Sequence, residues 1–293
     1  MRPTSRPARR RARLLGASCV LAAAAALFAS TSQVTAAPAA AAGHRDGGPK
    51  PTIVLVHGAW ADASSWNAVM GRLQRAGYTV YAPPNPLRGV ASDAQTLTSF
   101  LATVPGPVVL VGHSYGGFVI TDAATKSPNV KALVYDDAYI PAEGETVFQI
   151  NAAEPGSCVT ADPSTFLNLV PYPGGPAGDV DAYLKWDANG SYQGFQGCFA
   201  NGVPTAEARL LAAGQRPFAV SAGSEPSGAP AWKSLPSWAV VGTTDHVIVP
   251  AEQLAMARRA GAHVTEVEAG HLSLVTRPDV VTRVIKEAAG SVG

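Results

Sequence analysis

An apolar run, Val108-Val109-Leu110-Val111, passes directly into Gly112-His113-Ser114-Tyr115-Gly116-Gly117 and then into a stretch with helical spacing. Strand, sharp turn and helix in this order constrain the chain more than any other feature. Glycines two before and two after the serine allow a tight, strained turn that lifts the hydroxyl clear of the sheet. The helix that follows aims free N–H groups and its positive dipole end at the same point, which favours negative charge there. The arrangement makes Ser114 the candidate nucleophile of an acyl-transfer reaction.

The surrounding pattern agrees with such a turn. Apolar, β-branched runs at Thr52–Val56, Tyr78–Ala82, Val108–Val111, Ala132–Tyr135, Trp238–Val241 and His263–Val267 alternate with segments of helical periodicity. Runs apolar on both faces suit a mostly parallel sheet covered by helices on each side, an α/β fold with six strands. Helix limits are readable too: Gly77 follows the stripe ending in Leu73, Ser92 opens another helix, and Pro250 and Pro278 occupy first turns. Between about 142 and 233 the alternation fails. That stretch is rich in Gly, Pro and Asn, and its aromatics run from Phe148 and Phe166 through Trp186 and Phe199 to Trp232. It reads as a cap inserted between two sheet strands, with some of its aromatics forming its own core and a few available to a pocket.

Lys and Arg total 22 against 21 acidic residues, but six of the arginines lie within the first 13 positions, so the rest of the chain is mildly acidic. No basic field remains to hold nucleic acid. The Arg-rich start, an Ala/Leu-rich run from Leu14 to Ala29 and small residues ending near Ala36 have the layout of a cleavable signal peptide. The run is too short for a stable membrane anchor, and export follows as the expected localisation: a secreted protein. Removal of this leader leaves Cys158 and Cys198, an even count in an oxidising compartment, and they are expected to form a disulfide. The expected organisation is a signal peptide over 1–36, a linker without periodicity over 37–50, a core over 51–141 and 234–293, and a cap over 142–233.

A serine hydroxyl needs a base that titrates near neutrality and a carboxylate to orient that base. His271 follows the last strand through Glu268-Ala269-Gly270, at a strand's C-terminal edge, and is the candidate base. Asp245, just past Trp238–Val241, is the favoured acid; Asp136 and Asp137, after the preceding strand, compete for the role. The first strand ends in His57-Gly58-Ala59-Trp60, where the Ala59 N–H is exposed to the site, so Ala59 and Tyr115 are the expected oxyanion donors. Trp60 and His113 are candidate pocket residues, and His57 reads as structural. The six histidines are scattered, and none pairs with Cys or an acid at metal-ligand spacing, so no metal is expected.

The combination of H-G-A-W at Trp60, G-H-S-Y-G-G at Ser114, G-T-T-D at Asp245 and G-H at His271 resembles the α/β-hydrolase superfamily. Within it the chain is similar to the small serine esterases that include pyrethroid hydrolases, salicylate esterases and hydroxynitrile lyase-like proteins, from Thr52 to the C-terminus. The resemblance implies hydrolysis of carboxylic esters with no cofactor, for which Ser114, His271 and Asp245 supply the triad; the aromatic-rich cap suggests a small-molecule ester with a medium or bulky apolar or aromatic acyl or alcohol group. Hydroxynitrile lyases of the group carry a Thr and a Lys where this chain has Val54 and Leu272, so cyanohydrin cleavage is disfavoured. An Asp-nucleophile dehalogenase or epoxide hydrolase is disfavoured by Ser114 itself. Lipase or polyester hydrolase, lactonase and cofactor-free haloperoxidase or perhydrolase chemistry remain open on the same triad, as does a hydrolase-like binding protein without catalysis. Oligomeric state has no sequence signal.

Overall fold

The computed structural model describes residues 50–172, 174–186 and 194–292. The expected signal peptide and nearly all of the expected linker lie outside them. Nine strands run in chain order among the described residues: β1 (Thr52–Val56), β2 (Val80–Tyr81), β3 (Val108–His113), β4 (Val130–Asp136), β5 (Leu167–Pro171), β6 (Val180–Leu184), β7 (Phe218–Ala219), β8 (Ser237–Gly242) and β9 (His263–Val267). Six of them form one sheet in the order β2-β1-β3-β4-β8-β9, every pairing parallel. This is the expected α/β architecture, with all six anticipated strands in place, although β2 is trimmed to two residues.

Why this sheet forms is visible in its burial. β3 and β8 are buried along their whole length, as are four of the five residues of β1, because helices cover both faces. The helix Pro278–Gly290 buries Val281, Val284, Ile285 and Ala288, a spacing that repeats every three or four residues. Its Pro278 and the Pro250 of Pro250–Arg259 sit in first turns, as expected. The helix expected from Ser92 begins at Val90 instead, and the one after Ser114 begins at Gly116.

The order of strands places the site. The chain leaves β1 toward one edge of the sheet through β2 and returns to pair β3 on the other side of β1, so the C-terminal ends of β1 and β3 meet at a topological switch point. Non-glycine residues with left-handed φ gather near this edge: Trp60 (56°) after β1, Ser114 (54°) after β3 and Asp137 (43°) after β4. Such conformations cost about 1–3 kcal/mol each and persist only where the surroundings enforce them.

Between β4 and β8 the chain builds a small antiparallel sheet, β5-β6-β7, whose register pairs Leu169 with Ala182 and Ala182 with Phe218. The cap is tied to the core by Arg88, which pairs with Asp181 of β6 and lies over the Tyr172 ring. Trp60 adds a second tie, donating from Nε1 to the Ala182 carbonyl at 3.0 Å. Cys158 and Cys198 are bonded, with Cα atoms 5.8 Å apart. No helix among the described residues is long and apolar enough to cross a membrane.

Candidate active site

Ser114 stands at the end of β3, on the turn into the helix Gly116–Ala124. The turn is tight enough that its neighbours must lack side chains. A Cβ on Gly58 would lie 2.6 Å from Ser114 Cβ, and one on Gly117 would collide with the Tyr139 carbonyl oxygen. These two close approaches hold the loop after β1, the Ser114 turn and the loop after β4 together. Ala59 and Tyr115, whose N–H groups were expected to face an oxyanion, line the same cavity as Ser114.

The remaining expected residues arrive from the other side of β4. Asp245 follows β8 and His271 follows β9, and His271 Nδ1–H donates to Asp245 Oδ2 at 2.8 Å. Asp245 is held from three further directions: its Oδ1 accepts from the Val247 and Ile248 N–H groups at 2.7 and 3.1 Å, and its Oδ2 from Gln253 Nε2 at 2.7 Å. Burial pushes this carboxyl upward against the downward pull of those N–H donors. Burial pushes the His271 imidazole down, to about 3, so the ring is held neutral. Its Nε2 is buried and has no hydrogen-bond partner among the described residues, the Ser114 hydroxyl included.

Asp136 and Asp137, the competing acids, are directed elsewhere. Asp137 accepts from the Gly242 N–H at 2.7 Å and the Ser273 N–H at 3.0 Å, and Asp136 accepts from the Ser273 hydroxyl at 2.7 Å. They fasten the segment just after His271 to β4 and β8. His57 is also structural: its Nδ1–H donates to the Gly58 carbonyl and its Nε2 accepts from the Asn85 N–H, both at 3.0 Å. Burial lowers it to about 4.

The expectation that His113 lines the substrate pocket is corrected. Its ring is fully buried, 4.8 Å from the His271 ring and edge-on to Trp66 and Phe199, and it is not part of the cavity wall. As the last residue of β3 it points into packed core, where its Nε2–H donates to the His271 carbonyl at 2.9 Å. His113 therefore props the loop that carries His271. Trp60 does line the cavity, with its ring against Phe199 and Phe218.

Several residues of the site carry no sequence signal. Asn201 donates from Nδ2 to the Thr244 carbonyl at 2.7 Å and accepts from the His271 N–H at 3.4 Å, joining the cap to both loops. Phe199 packs on the His271 ring at 5.3 Å. Gln253 is a helix residue whose contact with Asp245 only the fold reveals.

The cavity beside Ser114 has a volume of about 170 Å³. Its walls include Tyr139, Phe148, Phe166 and Phe218, together with Leu167 and Leu169 of β5 and Val180 and Ala182 of β6. Alternate residues of the two cap strands thus face the serine, as strand geometry requires of one sheet face. Among the described residues no group of acidic, Cys and His side chains is arranged to hold a metal ion.

A parallel sheet with a strained serine turn after one strand and a buried Asp–His pair after two others defines a hydrolase-type architecture. The chain belongs to the alpha/beta hydrolase family, whose sequence model it matches over residues 53–284. It is 34% identical over 111 residues to the carbendazim hydrolyzing esterase of Nocardioides sp. (strain SG-4G), a match spanning 33% of this chain and 46% of that protein. It is 33% identical over 106 residues to the pyrethroid hydrolase of Sphingobium wenxiniae (strain DSM 21828 / CGMCC 1.7748 / JZ-1), spanning 32% of this chain and 38% of that one. Both matches therefore cover less than half of those relatives. In three dimensions the chain is similar to polyneuridine aldehyde esterase, with a TM-score of 0.66, 19% identity, and 82% of this chain and 99% of that one covered.

Proposed function

We propose that the protein is a secreted serine esterase that cleaves a small, apolar carboxylic ester through an acyl-enzyme. The observation that supports this reading is a strained, cavity-lining Ser114 after β3 together with a buried His271–Asp245 pair on the loops after β8 and β9 of the same sheet. Two curated relatives, named as an esterase and as a pyrethroid hydrolase, support it.

Ser114 Oγ attacks the ester carbonyl carbon while its proton passes to His271 Nε2. The carbonyl π electrons move to oxygen, and the Ala59 and Tyr115 N–H groups receive the oxyanion. Collapse expels the alkoxide, which takes the proton from the imidazolium. Water then repeats the sequence on the acyl-serine and releases the acid. Asp245 fixes the tautomer with Nδ1–H and Nε2 free, and stabilises the imidazolium while it exists. The free Nε2 needs the Ser114 hydroxyl to turn to it once substrate is bound, and catalytic hydrogen bonds commonly tighten only in that complex.

Secretion rests on the leader-like N-terminus, and a Cys158–Cys198 bridge suits an oxidising compartment. The test of the activity is turnover of a p-nitrophenyl ester by the wild type and by Ser114→Ala. The variant is expected to fold and to be inactive. Activity retained in folded Ser114→Ala would contradict the reading.

A further inference from the structure

Five side chains that line the cavity beside Ser114 carry polar atoms, and four have tasks already. Ser114 brings the reacting hydroxyl. Trp60 Nε1 donates to the Ala182 carbonyl, and the Tyr115 hydroxyl donates to Asp93 Oδ2 at 2.9 Å. The Tyr139 hydroxyl donates to Asn151 Oδ1 at 3.0 Å. The fifth is Asn151 itself. Its carbonyl oxygen is taken by Tyr139, which leaves the amide NH₂, two N–H donors, without an acceptor among the described residues.

That donor is held in place. Asn151 lies on the buried face of the helix Val147–Ala153, whose start is fixed by a reciprocal capping pair of Thr146 and Gln149. Tyr139, which orients the amide, donates its own N–H to the Ser114 carbonyl at 3.3 Å and packs its backbone against Gly117. Two hydrogen bonds in series therefore tie the amide to the backbone of the nucleophile's turn. The side chains of Val147, Phe148, Val159, Phe166 and Val247, which share the cavity wall with it, are apolar and carry no acceptor for the NH₂. A preoriented donor in an apolar wall loses free energy when an occupant leaves it unpaired, and so discriminates between occupants.

We propose that Asn151 is a specificity-determining residue that donates a hydrogen bond to a second acceptor oxygen of the substrate, an ether or carbonyl oxygen set apart from the scissile carbonyl. The substrate class is then an apolar ester with one additional acceptor along its body, in preference to a plain hydrocarbon ester. This inference rests on the serine esterase reading above.

The experiment compares kcat/KM for all-carbon esters with that for matched esters in which one methylene is replaced by an ether oxygen, walked along the acyl chain and then the alcohol chain. The wild type is expected to favour the oxygen at one position by about tenfold, the range of a single well-placed neutral hydrogen bond. Asn151→Leu should abolish that preference, while Tyr139→Phe, which frees the amide to rotate, should reduce it and keep part of it. Thermal denaturation of both variants checks that they fold, and should Asn151→Leu fail to fold, Asn151→Asp, which replaces the donor with an acceptor, should invert the preference. A wild type that hydrolyses both ester series with no positional preference, or a preference that survives folded Asn151→Leu or Asn151→Asp, overturns the proposal and leaves the esterase reading standing. No turnover of any ester by the wild type overturns the reading beneath it.

Discussion

His271 Nδ1 lies 2.8 Å from Asp245 Oδ2, and neither side chain has any solvent exposure. The pair joins the loops after β8 and β9 at a point where no water can substitute for either partner. Its burial, and the direction of each bond it makes, set most of what can be expected of the protein in solution.

Under the proposed mechanism these bonds assign the acid's role to Asp245, which is open to a direct contrast. Asp245→Asn is expected to lower kcat roughly 10³- to 10⁴-fold with KM little changed, since the amide favours the wrong tautomer of His271. Asp137→Asn removes one acceptor from the Gly242 and Ser273 N–H groups, a loss of about 1–3 kcal/mol of stability, and should leave kcat within about tenfold. Steady-state kinetics and melting curves on the two variants check the division.

The pH profile of kcat/KM should reflect the buried base. As the proposed base His271 would act only when neutral, and burial lowers its pKa from the ordinary 6.5, so protonation, and the expected loss of activity, is postponed to more acidic solution. The acid limb is expected below pH 6.5, and Asp245→Asn should reshape it.

His57 predicts an acid weakness of the fold. Its folded pKa of about 4 lies below the ordinary 6.5 of the unfolded chain, so between these values the unfolded state binds more protons. The stability His57 contributes is complete above pH 6.5 and is lost as the pH falls toward 4. His57→Gln removes this proton uptake, and denaturant titrations should show a flatter dependence of stability on pH in that window.

The bridge between Cys158 and Cys198 spans 40 residues, and residues beside both cysteines bond to the loop that carries Asp245. The Cys158 N–H donates to the His246 carbonyl at 2.8 Å, Ser157 Oγ to the Val247 carbonyl at 2.6 Å, and His246 Nδ1–H to the Gly197 carbonyl at 3.0 Å. Loop-closure entropy for this span is about 4 kcal/mol. Cys158→Ser with Cys198→Ser is expected to lower Tm on the order of 10 °C, and to lower kcat more than KM rises, because the neighbours of Asp245 loosen.

Strands and helices of the core were legible because their signals are periodic: the parallel strands are apolar on both faces, and Pro250, Pro278 and Gly77 punctuate the helices. The positions of Ser114, Asp245 and His271 just after β3, β8 and β9 were legible because a strand end marks each of them. The cap was not. Its sheet, β5-β6-β7, is built from short strands, β5 mostly exposed and β7 only two residues long, with no periodic run that separates them from loop. Asn201, Gln253 and Asn151 act through single contacts made across the fold, and no spacing announces such contacts. His113 is next to Ser114 in sequence but not in the cavity wall, because its place at the end of β3 sends the ring into packed core beside Trp66.

The central claim is that His271 activates Ser114. Reaction with a fluorophosphonate, followed by mass spectrometry of the digested protein, measures it most directly. One adduct on Ser114 is predicted for the wild type, with the labelling rate reduced at least 100-fold in His271→Ala. An adduct on another residue, or an unchanged rate at Ser114 without the imidazole, would contradict the account.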